Sequence, residues 1–399
     1  MRRMRRRTLL ATAGVLWSAG CSAFRIETGT ETGGSTDAAT DTDGSTPAPT
    51  DGPPTESPTR SAPEQTTEAT DTDTATDTET ETATETATPS EAEREATRQI
   101  DQARSRLSTA SSEYVAFAAE TDGADSGSGG DGEGPTLLDV DASVNVTVAD
   151  VTNAVSRARQ ALDDVPEEAS ADQQATVEAL RGVATFFDRG VRCQAELYDA
   201  YQDFVFVVDR FYAENTGGVP DEIANIRSET DRARGYFDTL AAETSADDTT
   251  AFEGLDETTY TGKIDQFEAE LDAFPTIADA LSAFRSALET FLDAVDDYES
   301  GSYRDPREEF PDAASDFRTA ARTLSAFEAP GSVTDTVTDL VSAAEAFAPA
   351  CDDLAAASRA GFTGDSSDRE DRFEAAQEHL RSSDVVVENF DTVAELVEE

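Results

Sequence analysis

From Ile100 to Val397, apolar residues return every three and four positions, and this spacing constrains the fold more than any other feature of the chain. A period near 3.6 marks one apolar face of a helix, whereas a half-buried strand needs a period of two. After Pro89, the pair Ser90 and Glu93 matches a capping box, and Ile100, Ala103, Leu107, Ala110, Tyr114 and Phe117 follow in register. Val148, Val151, Val155, Leu162 and Val165 mark a second helix. Registers over Val177–Tyr212, Ile223–Leu240, Ile264–Val295, Phe310–Phe327, Val333–Leu354 and Phe373–Val397 mark the others, the fifth interrupted near Pro275. Glycine-containing turns follow helices one, three, five and seven. The expected class is therefore all-α, with about eight helices in four αα-hairpins forming an elongated bundle over 90–399, and a sub-boundary allowed near 243–258. Alternation of strand type occurs only at Val144, Val146 and Val148.

Helix three carries two stripes. Beside the Val177–Tyr212 register, which includes Gln194, runs Val183, Phe186, Cys193, Leu197, Phe204, Val207 and Phe211. Two stripes predict two buried faces. The stretch FVFVVDRFY (Phe204–Tyr212) reads as core, with an apolar ligand pocket along 171–214 as the alternative.

From Glu27 to Gln99 there is no Val, Ile, Leu, Met, Phe, Tyr or Trp. Thr alternates with Asp and Glu, interspersed with Pro, so nothing offsets the entropy of ordering. Residues 21–89 are expected to form a disordered acidic stalk. Such a coil spans ~45 Å on average and ~200 Å at full stretch. The composition also suits O-glycosylation.

Ahead of the stalk, Arg2, Arg3, Arg5, Arg6 and Arg7 precede an apolar run of twelve residues, Thr8–Ala19. A membrane span needs about 20 residues, whereas twelve fits the core of a signal peptide. Arg6-Arg7-Thr8-Leu9-Leu10 resembles the twin-arginine export motif, which implies export of an already folded protein. Ser18-Ala19-Gly20-Cys21 resembles a lipobox, with Ser18 where an aliphatic residue is usual. That resemblance implies cleavage after residue 20 and a lipid on Cys21.

The chain carries 84 Asp and Glu against 30 Lys and Arg, a net charge of −54, and Lys263 is its only lysine. A surface this rich in carboxylates repels itself until salt screens it, to a Debye length of about 3 Å at 1 M. With arginine in place of lysine, the composition resembles that of haloarchaeal proteins. Together with the leader it resembles a haloarchaeal, twin-arginine-exported, lipid-anchored surface lipoprotein; an acidic secreted protein of a mesophile is the other class. The charge argues against nucleic acid as a partner.

Motifs for chemistry are few. His379 is the only histidine, which excludes His-rich zinc sites, HExxH and the paired Glu-x-x-His of di-iron bundles. No G-x-S-x-G elbow or P-loop occurs. The Asp/Gly loop 122–134 does not follow the EF-hand order. No catalytic, cofactor or metal residue is expected. Cys193 and Cys351 lie on apolar seams, and a bridge between them is a candidate, with two buried thiols as the alternative. Asn145-Val146-Thr147 is the only N-glycosylation sequon. The expected function is a non-enzymatic scaffold or interaction module on the outer membrane face, meeting the membrane through Cys21 and possible partners in the surface layer or envelope. The alternative is a ligand-capturing lipoprotein accessory to a transporter.

Overall fold

The computed structural model describes residues 89–116, 118 and 134–398. Arg6, Arg7, Cys21, the stalk, Phe117 and residues 122–133 of the Asp/Gly loop lie outside the described residues. Among the described residues there is no strand. The helices are α1 (Glu91–Val115), α2 (Val148–Asp163), α3 (Ala171–Tyr212), α4 (Val219–Glu243), α5 (Glu257–Glu299), α6 (Pro306–Leu324), α7 (Thr334–Thr363), α8 (Ser366–Arg381), α9 (Asp384–Asn389) and α10 (Asp391–Glu398). Short 3₁₀ turns occupy Leu137–Asp139 and Ala246–Ala251. The described residues form one compact unit.

The helices pair as hairpins, α1 with α2, α3 with α4, α5 with α6 and α7 with α8, and α6 also packs on α7. Gly301 and Gly364 close two of these hairpins at φ 80° and 81°, a region that L side chains rarely adopt. The capping box forms as expected: Ser90 N donates to Glu93 Oε2 at 2.6 Å, and Glu93 N to Ser90 Oγ at 3.1 Å. Ser170 and Gln173 repeat it at α3, and Gln173 Nε2 also donates to Glu93 O at 2.8 Å, tying the starts of α1 and α3 together. The segment 243–258 is packed against the long helices: its 3₁₀ turn presses on α3 so closely that Asp248 leaves no room for a Cβ at Gly182.

Helix α3 is buried on two faces, as its two stripes predict; Val183, Phe186, Phe187, Leu197, Phe204 and Phe211 all lie in the core. Two aromatic groups fill that core. Tyr114, Phe186, Phe187, Phe252 and Tyr260 join α1, α3, the 3₁₀ turn and α5. Farther along, Phe211 stacks on Phe284 at 5.0 Å, and Phe317 stacks on Phe347 at 4.7 Å. Phe291 meets Phe310, Phe317 and Phe347 there. Each such pair is worth about 0.5–1.5 kcal/mol beyond the area it buries.

Two expectations need correction. Pro275 does not interrupt the fifth helix; α5 is continuous through it. Proline lacks the amide that would donate to Leu271 O one turn earlier. Arg234 of α4 supplies the donor, with Nη2 2.9 Å from Leu271 O and 2.7 Å from Asp272 Oδ1. The eighth helix, in turn, breaks into α8, α9 and α10. Ser383 and Phe390 both take extended backbone, and Ser383 Oγ meets Ser342 Oγ at 2.9 Å. The break turns Phe390 into the core against Phe347 and Tyr212. Glu214 holds the start of α10, accepting from Thr392 N at 2.8 Å. The alternation at Val144–Val148 is an irregular lead into α2, which begins at Val148, and not a strand.

Arg234→Ala is expected to lower stability in urea unfolding by about 1–3 kcal/mol. In a Pro275→Ala background the loss shrinks, because the amide at 275 then reaches Leu271 O. Equal losses in the two backgrounds would contradict the capping role.

Candidate functional site

The only lysine of the chain is fully buried. Lys263 lies in α5 with Gln266 and Glu270 at i+3 and i+7, on one face that meets α3 at Cys193 and Gln194. The irregular segment Val140–Ala142 crosses this face. Lys263 Nζ donates to Val140 O, to Gln194 Oε1 at 3.2 Å and to Gln266 Oε1 at 3.1 Å. Gln194 Nε2 donates to Asp141 O at 2.5 Å. Glu270 Oε1 accepts from Ala142 N at 2.8 Å. Three successive residues of non-helical backbone thus have polar groups met by Lys263, Gln194 and Glu270, which are 0%, 0% and 1% exposed. The ammonium also lies over the Phe267 ring at 4.4 Å.

Burial lowers the Lys263 pKa, opposed by the Glu270 carboxylate. Burial raises that of Glu270, opposed by Lys263 and the Ala142 amide. Burial also drives the Cys193 thiol and the Tyr114 phenol upward. Glu270 Oε2 and the Tyr114 hydroxyl, both buried, have no hydrogen-bond partner among the described residues. The surface cavities of about 400 Å³ between α6 and α7 and about 190 Å³ between α1 and α2 are lined by other residues. The arrangement suits holding backbone. The ammonium, bonded by three carbonyl oxygens and lying over the Phe267 ring, acts with Gln194 and Glu270 to fix Val140–Ala142 onto α3 and α5.

A second polar group lies between α3 and α4. Burial is the larger cause that pushes Asp203 up to about 6, followed by the Glu222 carboxylate. Glu229 is pushed up to about 7, again by burial first and then by Asp203. Glu229 Oε2 is shielded and has no donor, while Arg232 Nη2 stands 3.5 Å from Oε1 and its Nε bonds Glu196 Oε2 at 2.7 Å. Protonation of either carboxyl relieves the repulsion between them.

The residues singled out in the sequence do not converge. Cys193 and Cys351 are both buried free thiols, and no bridge joins them. The two seams carry them into separate packing environments, Cys193 beside Lys263 and Glu270 and Cys351 near Asp352 and Arg318, where each serves as a small apolar side chain. His379 is a half-exposed surface residue, with Nε2 3.4 Å from Asp353 Oδ2. Asn145 is exposed. The stripe along 171–214 is packed core. Sequence reasoning missed the Lys263 group, although its signals were visible: one lysine among thirty basic residues, and a glutamine inside an apolar register.

No protein-family model, no curated protein and no solved structure matches this chain.

Lys263→Met is expected to cost about 1–3 kcal/mol in chemical unfolding, because it leaves buried oxygens of Val140, Gln194 and Gln266 without their donor. Adding Glu270→Gln should cost less than the sum of the two single changes; strict additivity would mean that the residues do not act together. Asp203 and Glu229 generate a pH dependence. A carboxyl whose folded pKa is raised contributes stability that is full below its unfolded pKa and lost as pH rises through the folded one. Their contribution therefore falls between about pH 4 and pH 7. Asp203→Asn should flatten that part of the thermal-midpoint profile at fixed salt, and an unchanged slope would show that the two carboxyls do not raise one another's pKa.

Proposed function

We propose that the chain is a lipid-anchored protein of the outer cell surface whose helical domain is a non-enzymatic scaffold or interaction module, held off the membrane by its acidic stalk. The observation that carries this reading is the filled core along α3. Phe204, Val207 and Phe211 are 0% exposed, so most of the apolar stretch Phe204–Tyr212 is taken up by packing and Phe206 is its one exposed aromatic side chain. The alternative, a ligand pocket along 171–214, draws no support from that packing. The attachment is assigned to Cys21 on the lipobox-like sequence Ser18-Ala19-Gly20-Cys21 that follows the apolar leader. What the domain offers outward is a carboxylate-rich surface with a few exposed apolar side chains. Phe206 and Phe362, 41% and 56% exposed, lie under the guanidinium groups of Arg210 and Arg307. They are the first positions to examine for partner contact.

Cys21→Ser is expected to release the protein into the medium or to leave it unprocessed, and unchanged retention in the membrane fraction would refute the anchor. Cross-linking in intact cells at native salt should then capture an envelope partner that is lost with Phe206→Ser or Phe362→Ser. The thermal midpoint should climb from 0.1 M to molar KCl as the Debye length contracts from about 10 Å to about 3 Å. A flat response would remove the basis for a salt-adapted surface.

A further inference from the structure

We infer that Asn145 is the attachment point of an N-linked oligosaccharide on the folded protein; this rests on the external location proposed above. Three independent features of the 140–147 segment present it. The segment is pinned at its start by Lys263, Gln194 and Glu270, which hold Val140 O, Asp141 O and Ala142 N. Ser143 and Val144 add a tight turn on Asp141, with Ser143 N 2.9 Å from Asp141 Oδ1 and Val144 N 2.9 Å from Asp141 O. Burial then alternates residue by residue from Val144 to Thr147. Val144 and Val146 are anchored in the core at 4% and 5% exposure, so Asn145 between them points to solvent. The alternation that resembles a strand in the sequence is thus the device that displays the acceptor.

Thr147, the third residue of the sequon, is exposed and stands at the N-cap of α2. A threonine there ordinarily turns its hydroxyl onto the first-turn amides. Here it makes no side-chain cap bond, and Asp150 N instead bonds Thr147 O at 3.1 Å. The hydroxyl that completes the recognition pattern stays available. Elsewhere, Asn215, Asn225 and Asn389 use their side chains in local hydrogen bonds. Asn145 makes none among the described residues, so a glycan there displaces no existing contact.

The donor is an oligosaccharide linked through phosphate to a polyprenyl lipid. The bond between the sugar's anomeric carbon and the phosphate oxygen breaks. Asn145 Nδ2 forms the new bond to that carbon and gives up one proton, and the lipid phosphate leaves with the electron pair. Nothing is oxidised or reduced.

The test is peptide mass spectrometry on the full chain recovered from membranes of the producing cell, reading residue 145 and residue 21 together. The expected result is a glycan mass on the peptide bearing Asn145. Asn145→Gln and Thr147→Val should abolish it and Thr147→Ser retain it. The helix content and thermal midpoint of Asn145→Gln made in a host without glycosylation should equal those of the parent made there, since no side-chain bond is lost. An unmodified Asn145 on protein lipidated at Cys21 would overturn this site and leave the location intact. An unmodified Asn145 on protein still carrying residues 1–20 in the cytosol would overturn both. A glycan on Asn145 without lipid on Cys21 would uphold the site and remove the anchor.

Discussion

The simultaneous burial of α3 and α5 on more than one face is the constraint on which the other helices depend. Helix α3 packs against α1, α2, α4 and α5, and α5 packs against α3, α4, α6 and α7. At 42 and 43 residues they are each roughly 60 Å long and run through both aromatic groups of the core. Helices so long and apolar on two sides are stable only if neighbours cover them. The amphipathic helices α1, α2, α4 and α6 each supply one apolar face for that purpose. Their outer faces are then free to carry carboxylates, and a net charge of −54 is compatible with a close-packed interior.

The Lys263 group is a charged exception within a mostly apolar interior, and its cause is topological. The link from α1 to α2 includes irregular backbone across the α3–α5 seam, and buried backbone without partners costs more than ordinary packing returns. Lysine, glutamine and glutamate on the two long helices stand in for the missing helical partners. Desolvating an ammonium and a carboxylate is costly. The cost is offset because both charges bond one another's surroundings and three backbone groups of the crossing segment. The solution at Pro275 is the same in kind: Arg234 caps a carbonyl that proline leaves without its amide. In both places a charged side chain from another element completes backbone that the local sequence cannot satisfy.

Much of this architecture was legible beforehand because a helix face needs only local spacing. The Ser90–Glu93 cap, the α1 register from Ile100 to Tyr114 and the two stripes of α3 follow from residues three and four apart. The break near Ser383 was not legible, since the Phe373–Val397 spacing is equally compatible with a continuous helix. What decides it is the contact of Phe390 with Tyr212 and Phe347, residues distant in sequence. Between a bridge and two buried thiols the sequence left the choice open for a similar reason: two thiols on apolar seams say nothing about whether the seams meet.

By itself, then, the sequence determined the helical class, the hairpin order and the placement of Asn145 in a sequon, all of which depend on neighbours along the chain. Only the tertiary structure decided that Lys263 is buried, that Pro275 is tolerated, that Cys193 and Cys351 stay apart and that Asn145 faces outward. Each of these turns on which groups from distant segments occupy the same space. Desolvation and hydrogen-bond satisfaction are properties of that shared space, not of the order of residues.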